Sequence, residues 1–105
     1  MRSFKNIAIL IRYKRITSKL GLSQVDLSVL LGYKNGQFIS NVERGMCNIP
    51  LKTMKHICEI LEINQEEIKI AILKDYSDTL TNYFGKPLTS ILNKSKPLNG
   101  NEIVK

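Results

Sequence analysis

The chain of 105 residues has no tryptophan, one histidine (His56) and two cysteines (Cys47 and Cys58). The cysteines are not in a C-x-x-C pair, and one histidine leaves too few soft ligands for a four-coordinate zinc site. Two ordinary thiols in a reducing compartment are expected; a disulfide between them is open but explains nothing further. No glycine-rich G-x-x-x-x-G-K loop is present, and no acid, base and nucleophile converge in the sequence. A non-enzymatic protein without a cofactor or metal is therefore expected. The aromatics make up 7% of the chain and are not interleaved with basic residues, as they are in single-strand nucleic-acid binders. The longest apolar run, Ile7 to Ile11, falls far short of the roughly 18 residues a membrane span requires, and no small-residue cleavage site follows it. The sequence thus predicts a cytoplasmic protein with no membrane partner and no signal peptide.

What the chain does have is positive charge, +7 in all, unevenly placed. Residues 1–63 carry ten basic and four acidic side chains, and residues 64–105 six and five. The first twenty residues hold Arg2, Lys5, Arg12, Lys14, Arg15 and Lys19 with no carboxylate. A polyanion suits such a surface, although solvated helix faces carry the same residues.

Apolar residues recur at helical spacing from Phe4 through Ile7, Ala8 and Ile11 to Ile16 and Leu20, with Gly21 as a stop. Ser23 reads as the N-cap of a short second helix with Leu27, Leu30 and Leu31 inward and Gly32 at its end. Asn35 is a candidate cap for a third helix over 36–44, with Ile39 and Val42 inward and Gly45 as its end. Pro50 opens a fourth helix striped by Leu51, Met54, Ile57, Cys58 and Leu61. Asn64 and Glu67 form a capping-box pattern for a fifth, through Ile68, Ala71 and Ile72 as far as Tyr83. Sustained period-two alternation is lacking, so an all-α fold is expected. The predicted organisation is one domain over 1–84 and a flexible tail over 85–105, in which Leu88, Ile91 and Leu92 form one apolar patch that docks on the core or on a second copy.

Two short helices around a tight turn, Ser23 to Arg44, have the dimensions of a helix-turn-helix. The third helix then needs an apolar anchor, supplied by Ile39 and Val42, and short polar side chains facing outward, supplied by Gln37 and Asn41.

The stretch LGLSQVDLSVLLGYKNGQFISNVERG, followed by Pro50 and LKTMKHICEIL, resembles the Cro and phage-repressor type of helix-turn-helix domain, the xenobiotic-response-element family. The likeness covers roughly residues 7–73 and is densest in Leu22-Ser23-Gln24 and in Ile39-Ser40-Asn41-Val42-Glu43-Arg44-Gly45. It implies a five-helix lambda-repressor-like domain. It also implies that Gln24 contacts a phosphate and braces the recognition helix, that Gly36 and Gln37 open that helix, and that Gln37 and Asn41 read bases. Ser40, Arg44 and Asn48 match positions of backbone contact or support, and Lys34 and Asn35 lie in the turn beside them. From Gly32 to Gly45 the chain carries one residue more than the commonest family spacing. Where many members have an arginine to pair with the third-helix glutamate, this chain has Thr17, so Glu43 pairs with Arg15 or with nothing. Phe38 is expected to pack on the second helix or the turn. The function implied is sequence-specific reading of double-stranded DNA by a transcriptional regulator such as a repressor. The alternative is a protein-interaction module of the same fold, antitoxin-like or a controller, whose main partner is another protein. Whether the chain forms a homodimer stays open.

Overall fold

The computed structural model describes residues 2–85, which form five α-helices and contain no strand. They are α1 (Lys5–Thr17), α2 (Gln24–Leu30), α3 (Gln37–Glu43), α4 (Leu51–Leu61) and α5 (Gln65–Phe84). Residues 86–105, and with them the expected patch of Leu88, Ile91 and Leu92, lie outside the described residues. No described helix is long and apolar enough to cross a membrane.

The centre of the core takes at least one side chain from each of the first four helices. Ile11, Leu27, Ile39, Val42 and Ile57 are all but inaccessible to solvent, and Ile68 and Ala71 of α5 close one side. Burying an aliphatic side chain of this size contributes about 1.5–3 kcal/mol, so these few residues hold short helices that would not persist alone. Ile49 anchors the connection between α3 and α4 in the same cluster.

Capping sets several boundaries. Ser23 and Asp26 form a reciprocal capping box at the start of α2, and Asn64 and Glu67 form another at the start of α5. The N-cap of α1, Phe4, supplies no side-chain hydrogen bond, and the local side-chain acceptor for the first turn is Ser3 Oγ, which takes Lys5 N at 3.4 Å. The next two amides are satisfied from 69 and 68 positions away, because the buried Asp75 of α5 accepts from Asn6 N at 2.7 Å and from Ile7 N at 3.0 Å. Asn6 Nδ2 also donates to Asp75 Oδ1. The same carboxylate therefore caps one helix and ties it to another.

Three expectations need correction. Helix α1 stops at Thr17 rather than running on to Leu20, because Ser18 is extended and its hydroxyl accepts the Leu20 N–H while Thr17 Oγ1 bonds back to Tyr13 O. Ile16 and Leu20 are accordingly exposed and not part of the core stripe. Leu30 and Leu51, read as inward, also face solvent. Asn35 is not the N-cap of α3: that position is Gly36, and Asn35 Oδ1 instead accepts from Gln37 N at 2.9 Å in a turn of its own.

Candidate nucleic-acid interface

Helix α3 is only seven residues long, yet its two sides differ completely. At about 100° per residue, Gln37, Ser40, Asn41 and Arg44 fall on one side and Ile39, Val42 and Glu43 on the other. Ile39 and Val42 are buried, whereas Gln37 and Arg44 are exposed and Ser40 and Asn41 half-exposed. Gln37 Nε2 donates to Asn41 Oδ1 at 3.0 Å, and Arg44 Nη2 donates to the same oxygen. The three side chains are thereby linked along the outer ridge.

The inner side is fixed by charge as well as by packing. Only 1% of the Glu43 side chain is exposed, and it accepts a two-pronged contact from Arg15 of α1, with Nε at 2.7 Å and Nη2 at 3.0 Å. Gln24 Nε2 of α2 donates to Glu43 Oε1 at 2.9 Å, and Arg15 Nη1 reaches Leu22 O. The Glu43 hydrogen bond holds the Arg15 guanidinium above its ordinary pKa. One carboxylate thus joins α1, α2 and α3. Of the two options left open by the sequence, Glu43 takes Arg15; Arg12 lies farther out, at 3.9 Å, with its side chain 59% exposed.

The connection between α2 and α3 is equally specific. Gly32 has φ +96°, a conformation that a side chain would strain. Gly36 has an ordinary φ but sits against α2: a Cβ there would come within 2.9 Å of Val25 Cγ2 and 3.3 Å of Val25 backbone atoms. Phe38 stacks on Tyr33, ring centroids 4.2 Å apart and planes 12° apart, so it packs against the turn as expected. The fully buried Ser28 accepts from Ile39 N at 3.2 Å, capping an amide in the first turn of α3 from the neighbouring helix.

The residues singled out from the sequence divide accordingly. Gln37, Asn41, Arg44 and Ser40 share the outer side of α3. Lys34 and Asn35 are exposed in the preceding turn, and Asn48 is exposed in the following connection. Gln24 is drawn inward to Glu43, and Gly36 serves close approach. Sequence reasoning missed Ser28, because a serine between Leu27 and Val29 reads as a solvated position and its partner lies eleven residues on.

Among the described residues no three His, Cys, Asp or Glu side chains group closely enough to hold a metal ion. A groove of about 250 Å³ between α4 and α5 is lined mainly by Leu51, Met54, Cys58, Ile68 and Ile72. Burial pushes the Cys47 and Cys58 thiols up, with Glu59 adding to the effect at Cys58. No protein-family model, curated protein or solved structure matches the chain.

Proposed function

We propose that α2, the turn over 31–36 and α3 form a helix-turn-helix of the Cro and phage-repressor type, and that the protein is a cytoplasmic, non-catalytic transcriptional regulator reading double-stranded DNA. The observation that carries this reading is the polar outer ridge of α3, Gln37, Asn41 and Arg44, held out by a helix whose other side is locked through Ile39, Val42 and Glu43. A recognition helix needs this division, because base discrimination requires side chains placed with little freedom of the backbone behind them.

The hydrogen-bonding state of the ridge supports the same reading. With Gln37 Nε2 committed to Asn41 Oδ1, Gln37 Oε1 remains as an acceptor and Asn41 Nδ2 as a donor. Adenine offers the complementary pair in the major groove, an N6 donor and an N7 acceptor. Arg44 ends the ridge as an exposed cation, Lys34 is exposed in the turn that precedes α3, and the Arg12 side chain on α1 is more than half exposed. In this reading the cations engage phosphates and the amides engage bases. Because Gln24 is held by Glu43, its role is to brace α3.

Titrating the protein onto a selected and a scrambled duplex at several salt concentrations tests the proposal. Binding should weaken steeply with salt on both duplexes, while a preference for the selected one persists. Equal affinity for both at every salt concentration would reject sequence reading.

A further inference from the structure

Helix α5 has two apolar sides. Ile68, Ala71 and the capping residue Asp75 face the core. On the opposite side Ile70, Leu73, Leu80 and Phe84, with Tyr83 at the edge, are between 49% and 77% exposed. The charged residues from 70 to 84, Lys74, Asp75 and Asp78, all fall outside this arc. Two rings and three aliphatic side chains at these exposures make an apolar patch on the order of 500 Å², at the upper end of what a monomer leaves bare.

We propose that the segment just beyond this helix, Leu-Thr-Ser-Ile-Leu over residues 88–92, folds back on this side of α5 and covers its C-terminal half. Three observations favour this occupant. The first is the exit of the chain. Gly85 ends α5 with φ +83° and its amide bonded to Thr81 O at 2.7 Å, a left-handed cap that turns the backbone off the helix axis. Pro87 follows two residues later and has no N–H with which to continue the helix. Gly85, Lys86 and Pro87 thus make a connection of the length that joins antiparallel helices.

The second observation is reach and pattern. Leu92 is seven residues beyond Gly85, at most roughly 25 Å of extended chain, and Leu73 is only about 18 Å back along the helix. Leu88, Ile91 and Leu92 recur at i, i+3 and i+4, the spacing that puts three side chains on one side of a helical turn. The third is charge. Residues 86–105 carry Lys86, Lys94, Lys96 and Lys105 against Glu102, whereas α5 carries Glu66, Glu67, Asp75 and Asp78 against Lys69 and Lys74. The two are opposite in sign. The last turn of α5 also has no basic residue, so its negative dipole end meets a segment that begins with Lys86. A second copy of α5 would offer like charge, and it lacks the high effective concentration of a segment tethered three residues away. The inference concerns α5 and holds whatever α3 binds.

Methyl-resolved NMR of the full chain without DNA tests it. The methyls of Leu88, Ile91 and Leu92 should show nuclear Overhauser contacts to those of Leu73 or Leu80 and to the rings of Tyr83 or Phe84. In a mixture of labelled and unlabelled chain, these contacts should be absent from the spectrum filtered for pairs between copies. Ile91→Asp with Leu92→Asp should abolish them and speed amide exchange over residues 80–84 about fivefold or more. The core resonances of Ile11, Leu27 and Ile57 should stay in place in that variant. Ser90→Asp, opposite the three apolar positions on the same turn, should change neither the contacts nor the exchange. Should the double variant lose its core, the wild-type contacts decide alone. Methyls of 88–92 without contacts to α5, or with contacts only between copies, would overturn the proposal. So would contacts made instead to Met54 and Ile72 in the groove between α4 and α5, or exchange over 80–84 that is unchanged in the double variant.

Discussion

Glu43 does more structural work than its surroundings in the sequence suggest, lying between Val42 and Arg44 on a short helix. Replacing it with alanine leaves the largely buried Arg15 guanidinium and the Gln24 amide without their shared acceptor, and should cost about 3 kcal/mol in chemical denaturation. Replacing Arg15 with methionine and Glu43 with leucine together should recover most of that loss, because no unpaired charge then remains. If the double variant is no better than Glu43→Ala, the ion pair is not the source of the effect. Gly36→Ala should destabilise by about 1–2 kcal/mol through overlap with Val25. Adding Val25→Ala should return only part of this, since the backbone of residue 25 also stands in the way. The opposite sign is expected at Glu62, whose φ of 57° ends α4 in the left-handed region. Glu62→Gly should raise stability by about 0.5–1 kcal/mol, and an unchanged or lowered melting temperature would contradict this.

The helices differ in how much of their definition is local. Ser23 with Asp26, and Asn64 with Glu67, announce α2 and α5 within four residues of chain, so both starts could be read from the sequence alone. Apolar spacing from Phe4 places the start of α1 within a residue, but its cap could not be read, because that cap is Asp75, which looks like one more surface charge until α5 is folded against α1. The end of α1 was hidden for a related reason: apolar periodicity continues through Ile16 and Leu20, but the hydroxyls of Thr17 and Ser18 redirect the backbone. Asp75→Ala should cost about 2 kcal/mol and speed amide exchange at Asn6 and Ile7 ahead of the other helix starts. Uniform acceleration across the chain would instead mean that Asp75 acts only through packing. Both local caps respond to acid. The Ser23 amide and hydroxyl hold the Asp26 carboxyl below its ordinary range, and Lys14 at 3.0 Å, with the Asn64 amide, does the same for Glu67. A carboxyl whose folded pKa is depressed stabilises the fold above its unfolded pKa, and that stability is lost as pH falls through the folded value. Thermal stability should therefore decline from about pH 4.5 downward, and Lys14→Ala with Ser23→Ala should make that decline shallower.

Taken as one body, the described chain separates its surfaces by chemistry. The amide and cation ridge of α3 is backed by the joint of α1, α2 and α3 at Glu43, while the second apolar side of α5 is left to solvent. The division of α3 into an anchored and a free side was legible beforehand, since Gln37, Asn41, Ile39 and Val42 already alternate at helical spacing. The contacts that make it rigid were not, because Ser28 and Ile39, Gln24 and Glu43, and Arg15 and Glu43 meet only through folding over 11, 19 and 28 positions of sequence. The most direct test of the DNA reading is selection of bound sites from a random duplex pool, carried out in parallel with wild type, Gln37→Ala, Asn41→Ala and Arg44→Ala. Wild type should enrich one motif, each amide variant should relax the preference at a particular base pair by about 1–3 kcal/mol, and Arg44→Ala should weaken binding to all sequences alike. A wild-type pool no different from the input, or identical base preferences in all four proteins, would contradict the assignment of α3 as a DNA-reading helix.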